Sequence, residues 1–265
     1  MSPVADNEGL QIRIHPAPDG PTLVYLPGLH GDWTLVTPFR RHIAGHAAFV
    51  EFAYPRTLEW SLHDYAEHIL AALDKNQIRR GWLLAESFGS QIAWAICEIL
   101  AGRGAASTFH LQGLVLAGGF GSYPIKPGAR WIASLRTRAP GKRPALPMRA
   151  YALLLRLRFF RCAEDRQAVT EFLARRTPLD RAAILHRIRL LIGHDPRPVM
   201  AAFRQPLYYL SGFVDPIVPW FLVKPALRRQ CPGYRQSRIV FAADHNVLGT
   251  APEPAVRQIL KWTET

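Results

Sequence analysis

Ser87 lies at a point of the sequence where a side chain could act as a nucleophile. It stands within Leu83-Leu-Ala-Glu-Ser-Phe-Gly-Ser90, between a predicted strand that ends near Ala85 and a predicted helix over Phe88–Leu100. A sharp strand-to-helix turn pushes a serine hydroxyl out at the edge of a sheet, where it can attack a carbonyl. The alternative is a serine that only caps the start of this helix.

Two later residues supply the partners that a nucleophilic serine needs. Asp215 lies in a loop after the predicted strand Leu207–Leu210, and His245 lies in a loop after Arg238–Phe241. An imidazole can take the serine proton as general base, and a carboxylate can hold the imidazole in the right tautomer. Asp244 is a rival acid, but a chain neighbour of His245 is badly placed to reach the far side of its ring. We interpret Asp244 as a turn residue.

A glycine-rich turn follows the predicted strand Thr22–Leu26 and reads Pro27-Gly-Leu-His-Gly31. Gly28 and Gly31 allow the backbone to come close to another group. Considered alone, the segment also fits an ordinary strand-to-helix turn.

Together these segments resemble the α/β-hydrolase superfamily. The resemblance rests on Pro-Gly-Leu-x-Gly at 27–31, Ser-x-Gly at 87–89, Gly-x-x-Asp-x-x-Val-Pro at 212–219 and Asp-His-x-x-Leu at 244–248, in that order. It covers almost the whole chain outside residues 122–205. Ala85 replaces the first glycine of the family's G-x-S-x-G, a mild departure because alanine is the next smallest residue. The resemblance implies the fold, a Ser87-Asp215-His245 triad and an ester-type substrate.

The same resemblance assigns supporting roles. The backbone N–H groups of Leu29 and Phe88 would form the oxyanion hole, and the start of the helix after Ser87 favours negative charge there. Gly28, His30 and Glu86 are expected to support the substrate pocket. His30 would contact substrate from the loop, whereas Glu86 would tune the site or serve only as a surface contact of the turn.

Strands and helices alternate in two parts of the chain, 1–121 and 206–265. This alternation predicts an α/β fold with a mostly parallel sheet and helices on both faces. We expect both parts to form one core. The predicted strands are Leu10–His15, Thr22–Leu26, Ala47–Ala53, Trp82–Ala85, Gly113–Ala117, Leu207–Leu210 and Arg238–Phe241, and the helices run from Ser61 to about Lys75 and over Phe88–Leu100, Trp220–Arg229 and Glu253–Thr263.

Residues 122–205 differ from the rest of the chain in predicted secondary structure and in charge. They hold 18 Lys and Arg against 5 Asp and Glu, whereas the rest of the chain has 15 of each, so the formal net charge of +13 lies entirely here. Helices are predicted over Met148–Cys162, Glu164–Arg176 and Pro178–Ile192. By the family resemblance, this segment is a basic helical cap over the active site.

The basic cap allows two interpretations. Its segment Arg149–Arg161 is basic and strongly apolar, as expected of a cap helix that buries its apolar face over the pocket. The alternative is a surface that meets an anionic membrane, an acidic carrier protein or a phosphate-bearing thioester. Nucleic-acid binding is not expected, because no recognition motif accompanies the charge.

Other features of the sequence argue against a metal-binding, a disulfide-linked or a membrane-spanning protein. Three widely spaced cysteines, Cys97, Cys162 and Cys231, form no disulfide framework and no zinc pattern, so we expect reduced packing residues. His42 and His46 lie four apart with no acidic partner and are interpreted as surface histidines. The polar start and the interrupted apolar runs predict neither a secretory signal nor a membrane span, and we expect a cytoplasmic protein.

The sequence therefore predicts a serine hydrolase, similar to carboxylesterases and thioesterases, that cleaves a small-molecule or lipid-like acyl ester or thioester. The chemistry runs through an acyl-enzyme and requires no metal or organic cofactor. The same triad could transfer the acyl group to an alcohol. A hypothesis from another class is a non-catalytic binding protein that docks on an anionic partner through the basic cap, against which the complete triad argues.

Overall fold

A single sheet of seven strands organises the computed structural model, which describes residues 9–124, 163–175 and 177–264. The strand order is β1-β3-β2-β4-β5-β6-β7; β1 runs antiparallel to β3, and all other pairs are parallel. The predicted, mostly parallel sheet is confirmed. The strands are β1 (Gln11–His15), β2 (Thr22–Leu26), β3 (Ala48–Ala53), β4 (Arg80–Glu86), β5 (His110–Ala117), β6 (Leu207–Gly212) and β7 (Tyr234–Val240).

Helices cover both faces of this sheet, as predicted. Two separate apolar clusters line the two faces, the larger beneath α2, α3, α6 and α7 and the other beneath α1, α8 and α9. In the described part of the chain, none of the helices is long and apolar enough to cross a membrane. The helices are α1 (Thr37–Ile43), α2 (Leu62–Lys75), α3 (Gly89–Arg103), α4 (Ala163–Ala174), α5 (Pro178–Gly193), α6 (Arg197–Ala202), α7 (Trp220–Gln230), α8 (Val247–Thr250) and α9 (Pro252–Thr263), with a 3₁₀ turn at Gly104–Ala106.

Local sequence explains the elements nearest the centre of the sheet. Strands β2 and β4 are continuous apolar runs because both of their faces are buried under helices. Helix α3 is apolar almost all round and is buried along most of its length. Ser61 precedes helix α2 as its N-cap: its hydroxyl accepts the Asp64 N–H, and the Asp64 carboxylate accepts the Ser61 N–H, which is a capping box.

The structure differs from the prediction in short and edge elements. Helices α1 and α6 were not predicted, because seven and six residues present too few turns to show a helical period. Strand β7 begins at Tyr234, four residues before the predicted Arg238. Its first half carries exposed polar residues, as edge strands often do, so it lacks the apolar signal of a buried strand.

The described part of the predicted cap contains α4, α5 and α6. The first two confirm the helices predicted over Glu164–Arg176 and Pro178–Ile192, and Thr177 caps α5 with Asp180 as its reciprocal partner. The helix predicted over Met148–Cys162 lies outside the described residues. The division into a core and a cap over 122–205 therefore stays a prediction.

Two of the three cysteines lie in the described residues. Cys97 and Cys231 are free and buried, and burial raises the pKa of both thiols. A thiol held in its neutral form is a poor nucleophile, which supports a packing role. Cys162 lies outside the described residues.

Candidate active site

Six loops lie at one edge of the sheet. Strands β2 to β7 are parallel, so their carboxyl ends point the same way, and ligand sites of such sheets lie at that edge. The loop after β2 carries Leu29, the turn after β4 carries Ser87, and the loops after β6 and β7 carry Asp215 and His245. Residues separated by more than 200 positions in the sequence thus come together.

Ser87 occupies a strained turn between β4 and α3. Its φ of 50° is left-handed, a conformation that costs a non-glycine residue about 1–2 kcal/mol. The turn is fixed on both sides, because Ser87 N–H donates to Ala117 O (3.1 Å) and the Ser90 hydroxyl donates to Ser87 O (2.6 Å). The turn also requires Gly89, where a Cβ atom would lie 2.2 Å from Leu26 O. This geometry is that of a nucleophile elbow.

Ser87, His245 and Asp215 form a continuous hydrogen-bonded chain. The Ser87 hydroxyl donates to His245 Nε2 (2.9 Å), and His245 Nδ1–H donates to Asp215 Oδ2 (2.8 Å). The other carboxylate oxygen of Asp215 accepts the backbone N–H groups of Ile217 and Val218, each at 2.8 Å. These two bonds fix the position of the carboxylate against His245.

The surroundings of His245 raise the pKa of its imidazole. Burial alone would lower that pKa, but the hydrogen bond to Asp215 and the negative charges of Asp215, Glu86 and Asp244 outweigh it. The imidazole is thereby made a stronger base. Asp244 itself binds the Asn246 N–H (3.0 Å) and the Thr250 hydroxyl (3.1 Å), in keeping with a turn residue.

Glu86 lies inside the protein, and the interpretation as a surface contact is wrong. Its side chain is 3% exposed and accepts a hydrogen bond from the Tyr25 hydroxyl. Burial raises the pKa of Glu86, although the Tyr25 bond and the charge of His245 oppose this. The carboxyl group therefore underlies the site as an electrostatic neighbour of His245.

The loop after β2 lies beside the elbow because β2 and β4 are neighbours. A Cβ atom at Gly28 would lie 3.3 Å from the Ser87 Cβ atom, so the glycine admits this close approach. Within the described part of the chain, the backbone N–H groups of Leu29 and Phe88 donate to no other group. Phe88 directly follows Ser87 and Leu29 directly follows Gly28, and among the described residues neither N–H has an acceptor, as the predicted oxyanion role requires.

His30 continues this loop and faces the predicted cap. Its ring packs edge-on against Phe172 of α4, with 5.5 Å between ring centroids. The Cε1 atom of His30 would lie 3.6 Å from a Cβ atom at Gly28, so the ring lies beside the backbone next to Ser87.

Among the described residues, no cluster of three or more His, Cys, Asp or Glu side chains could hold a metal ion.

Sequence reasoning missed three residues that hold the site. Tyr25 and Ser90 support the elbow from below, and Arg187 of α5 reaches the Leu29 carbonyl. Tyr25 and Ser90 carry no sequence signal that separates them from ordinary core and helix residues. Arg187 did carry one, because it occupies a buried stripe of α5 with Ala183 and Leu191 at spacings of four.

Comparisons with known proteins establish the fold. No protein-family model and no curated protein sequence matches the chain significantly. An esterase from Exiguobacterium antarcticum has a TM-score of 0.73 at 14% identity, with 97% of this chain and 96% of that one covered. A bromoperoxidase from Bacillus anthracis has a TM-score of 0.71 at 11% identity (97% and 95% covered), and a thermophilic esterase from Thermogutta terrifontis has 0.70 at 19% (96% and 93%). The chain has the α/β-hydrolase fold, as its sequence predicted. A fold of this kind does not by itself specify a reaction, which depends on the residues of the site.

Proposed function

From this fold and the geometry at its carboxyl edge, we propose that the chain is a serine hydrolase that cleaves a carboxylic ester or thioester through an acyl-enzyme. The observation that carries the proposal is the hydrogen-bonded chain from Ser87 Oγ through His245 to Asp215. It has the polarity that the reaction needs: a hydroxyl donor, a base with a raised pKa and a fixed carboxylate. The esterases among the similar structures support the same substrate class.

In the acylation step, Ser87 Oγ attacks the carbonyl carbon of the substrate while its proton moves to His245 Nε2. The carbonyl oxygen becomes an anion, which the N–H groups of Leu29 and Phe88 are free to bind. One such donor accounts for about 2.7–4 kcal/mol of transition-state stabilisation in other enzymes. The tetrahedral intermediate then collapses, and the alkoxide or thiolate leaves with the proton from His245.

Deacylation repeats these steps with water as the nucleophile. His245 takes a proton from water, the hydroxide attacks the acyl carbon, and the acid is released as the proton returns to Ser87 Oγ. Asp215 keeps its hydrogen bond to His245 Nδ1 and stabilises the imidazolium that forms twice in each cycle. Every group in this cycle belongs to the chain or to the substrate.

A chain-length series of p-nitrophenyl esters, run beside acyl thioesters, tests this function. We expect turnover by the wild-type protein and a loss of at least about 10⁴-fold in Ser87→Ala, since the nucleophile is gone. Ser90→Ala is the comparison: it removes the hydroxyl that bonds Ser87 O but keeps the nucleophile, so it should lose far less activity than Ser87→Ala. Equal rates for wild type and Ser87→Ala would reject the proposal.

Acyl transfer is the second candidate, because the same site operates if an alcohol reaches the acyl-enzyme in place of water. The two reactions separate when an alcohol is added at increasing concentration. A hydrolase keeps releasing free acid, whereas a transferase forms the new ester at the expense of the acid.

We also propose that the basic cap binds an anionic partner, either a membrane surface or an acidic carrier protein. The cytoplasmic location expected from the sequence remains part of the same proposal. The segment Arg149–Arg161, which suggested an anionic membrane or an acidic carrier, lies outside the described residues. Binding to vesicles of anionic lipid should then weaken steeply between low and high salt. Absent or salt-independent binding would remove this partner and would also weaken the alternative of a non-catalytic docking protein.

A further inference from the structure

Arg187 is a charged residue whose side chain is buried. It lies on α5 and is only 2% exposed, on the same buried stripe as Ala183 and Leu191. In the part of the chain that the structure describes, no carboxylate forms an ion pair with it. A buried cation is costly unless hydrogen bonds replace its water, so its partners indicate what it is for.

Those partners belong to the edge of the sheet that carries the site. Arg187 Nη1 donates to Leu29 O and Nη2 donates to Pro55 O, both at 2.9 Å, and Nε donates to the Tyr65 hydroxyl at 3.4 Å. The guanidinium also lies 5.4 Å from the ring centroid of Tyr54 and 6.0 Å from that of Tyr65. One side chain therefore ties α5 to the loops after β2 and β3.

The loop after β2 is shaped to receive this guanidinium. Gly31 has a φ of 74°, and a Cβ atom there would lie 2.5 Å from Arg187 Nη1. The missing side chain of Gly31 is thus the space that the guanidinium occupies. Loop and arginine fit each other closely, which a surface arginine with a solvated head group would not require.

Four carbonyl groups of this loop accept hydrogen bonds. The Tyr54 hydroxyl donates to Pro27 O (3.2 Å), Gly31 N–H to Gly28 O (2.9 Å), and Tyr54 N–H to Gly31 O (2.7 Å). Arg187 supplies a fourth bond, at Leu29 O. The Leu29 N–H shares its peptide unit with Gly28 O, which the Gly31 N–H binds, and Arg187 packs against Gly31 while it holds the next peptide unit at Leu29 O. The guanidinium therefore braces the turn on the side that follows the Leu29 N–H.

We propose that Arg187 is the positioning residue of the loop at residues 27–31, called the oxyanion loop from here on. Through Arg187, the basic insertion sets the direction of the Leu29 N–H. The inference rests on the proposed function. Arg187 touches no reacting atom; it acts through Leu29 O and through Gly31, whose N–H holds the peptide unit of the Leu29 N–H at Gly28 O. Its positive charge also adds to the field that favours an oxyanion. A misplaced oxyanion donor weakens binding of the transition state more than binding of the substrate.

Steady-state kinetics of three variants with a soluble p-nitrophenyl ester test this role. Arg187→Met keeps the bulk of the side chain and loses its donors; Arg187→Lys keeps the charge and one donor group. His186→Ala is the matched control, because it removes another bond from α5 to the core, to Trp60 O (2.8 Å), and leaves the oxyanion loop untouched. We expect kcat to fall about 10- to 100-fold in Arg187→Met at nearly constant KM, with partial recovery in Arg187→Lys.

The outcomes separate the two claims. A wild-type protein no faster than Ser87→Ala rejects the proposed function and this inference with it. An active wild type with Arg187→Met at the same kcat rejects the inference alone. A fall in kcat in Arg187→Met that Arg187→Lys does not reverse also rejects the inference. The same holds if His186→Ala lowers kcat equally, because weakened packing of α5 on the core would then be the cause. Recovery by lysine with an unaffected His186→Ala supports it.

Discussion

The Tyr25 hydroxyl donates a hydrogen bond to the carboxylate of Glu86, the residue directly before Ser87, and both side chains are shielded from solvent. This pair places an acidic group beneath the elbow, where its charge raises the pKa of His245. It connects the stability of the central strands to the basicity of the proposed catalytic base.

Tyr25→Phe should destabilise the protein in a pH-dependent way. Loss of a hydrogen bond to a buried charged group costs about 1.5–3 kcal/mol of unfolding free energy. Burial raises the pKa of Glu86 above its ordinary 4.5, so stability falls as pH rises from there through the folded pKa. Removal of Tyr25 raises that pKa further, and the deficit should grow with pH. Denaturant unfolding at pH 5 and pH 8 measures it; an equal deficit at both values contradicts the account.

Glu86→Gln should shift the acidic limb of the kcat/KM profile to lower pH. The base must be neutral, so activity rises as His245 loses its proton, with an apparent pKa above the ordinary 6.5. Removing the negative charge of Glu86 lowers that pKa. Glu98→Gln, on the exposed side of α3, is the control and should leave the profile in place. A limb that does not move in Glu86→Gln would exclude Glu86 as a tuning group.

Asp215→Asn should lower kcat by about 10⁴-fold without unfolding the protein, because the amide favours the wrong imidazole tautomer. Asp244→Asn is the comparison, since Asp244 binds the Asn246 N–H and the Thr250 hydroxyl. We expect that variant to stay within about tenfold of wild type. Comparable losses in both variants would show that the orienting acid has been misassigned.

Gly89→Ala should impair the elbow, whereas Gly102→Ala on the same helix should not. A Cβ atom at Gly89 meets Leu26 O at 2.2 Å, while one at Gly102 meets nothing within 4 Å. We expect Gly89→Ala to lose activity and stability. Gly102→Ala should raise the free energy of unfolding by about 0.5–1 kcal/mol, because alanine loses less conformational entropy than glycine when the helix forms. Thermal unfolding and ester hydrolysis of the two variants make the comparison; equal behaviour would mean that the crowding at Gly89 is unimportant.

The strand endings explain why so much of this site was predictable. Ser87, Asp215 and His245 follow apolar runs that end at turn residues, and parallel strands bring such endings to one edge. Glu86 was misplaced because a charged residue is normally solvated, and only the fold shows Tyr25 opposite it. Arg187 was missed although its spacing of four from Ala183 and Leu191 was a signal, because that spacing does not show which of the 18 basic residues in the insertion reaches the loop after β2.

Covalent labelling of Ser87 tests the central claim most directly. An alkyl fluorophosphonate reacts with a serine that a histidine base activates, and intact mass followed by peptide mapping locates the adduct. We expect one adduct per chain on the peptide that contains Ser87, lost in Ser87→Ala and formed much more slowly in His245→Gln. A folded wild-type protein that stays unlabelled, or labelling that persists in Ser87→Ala, would contradict it.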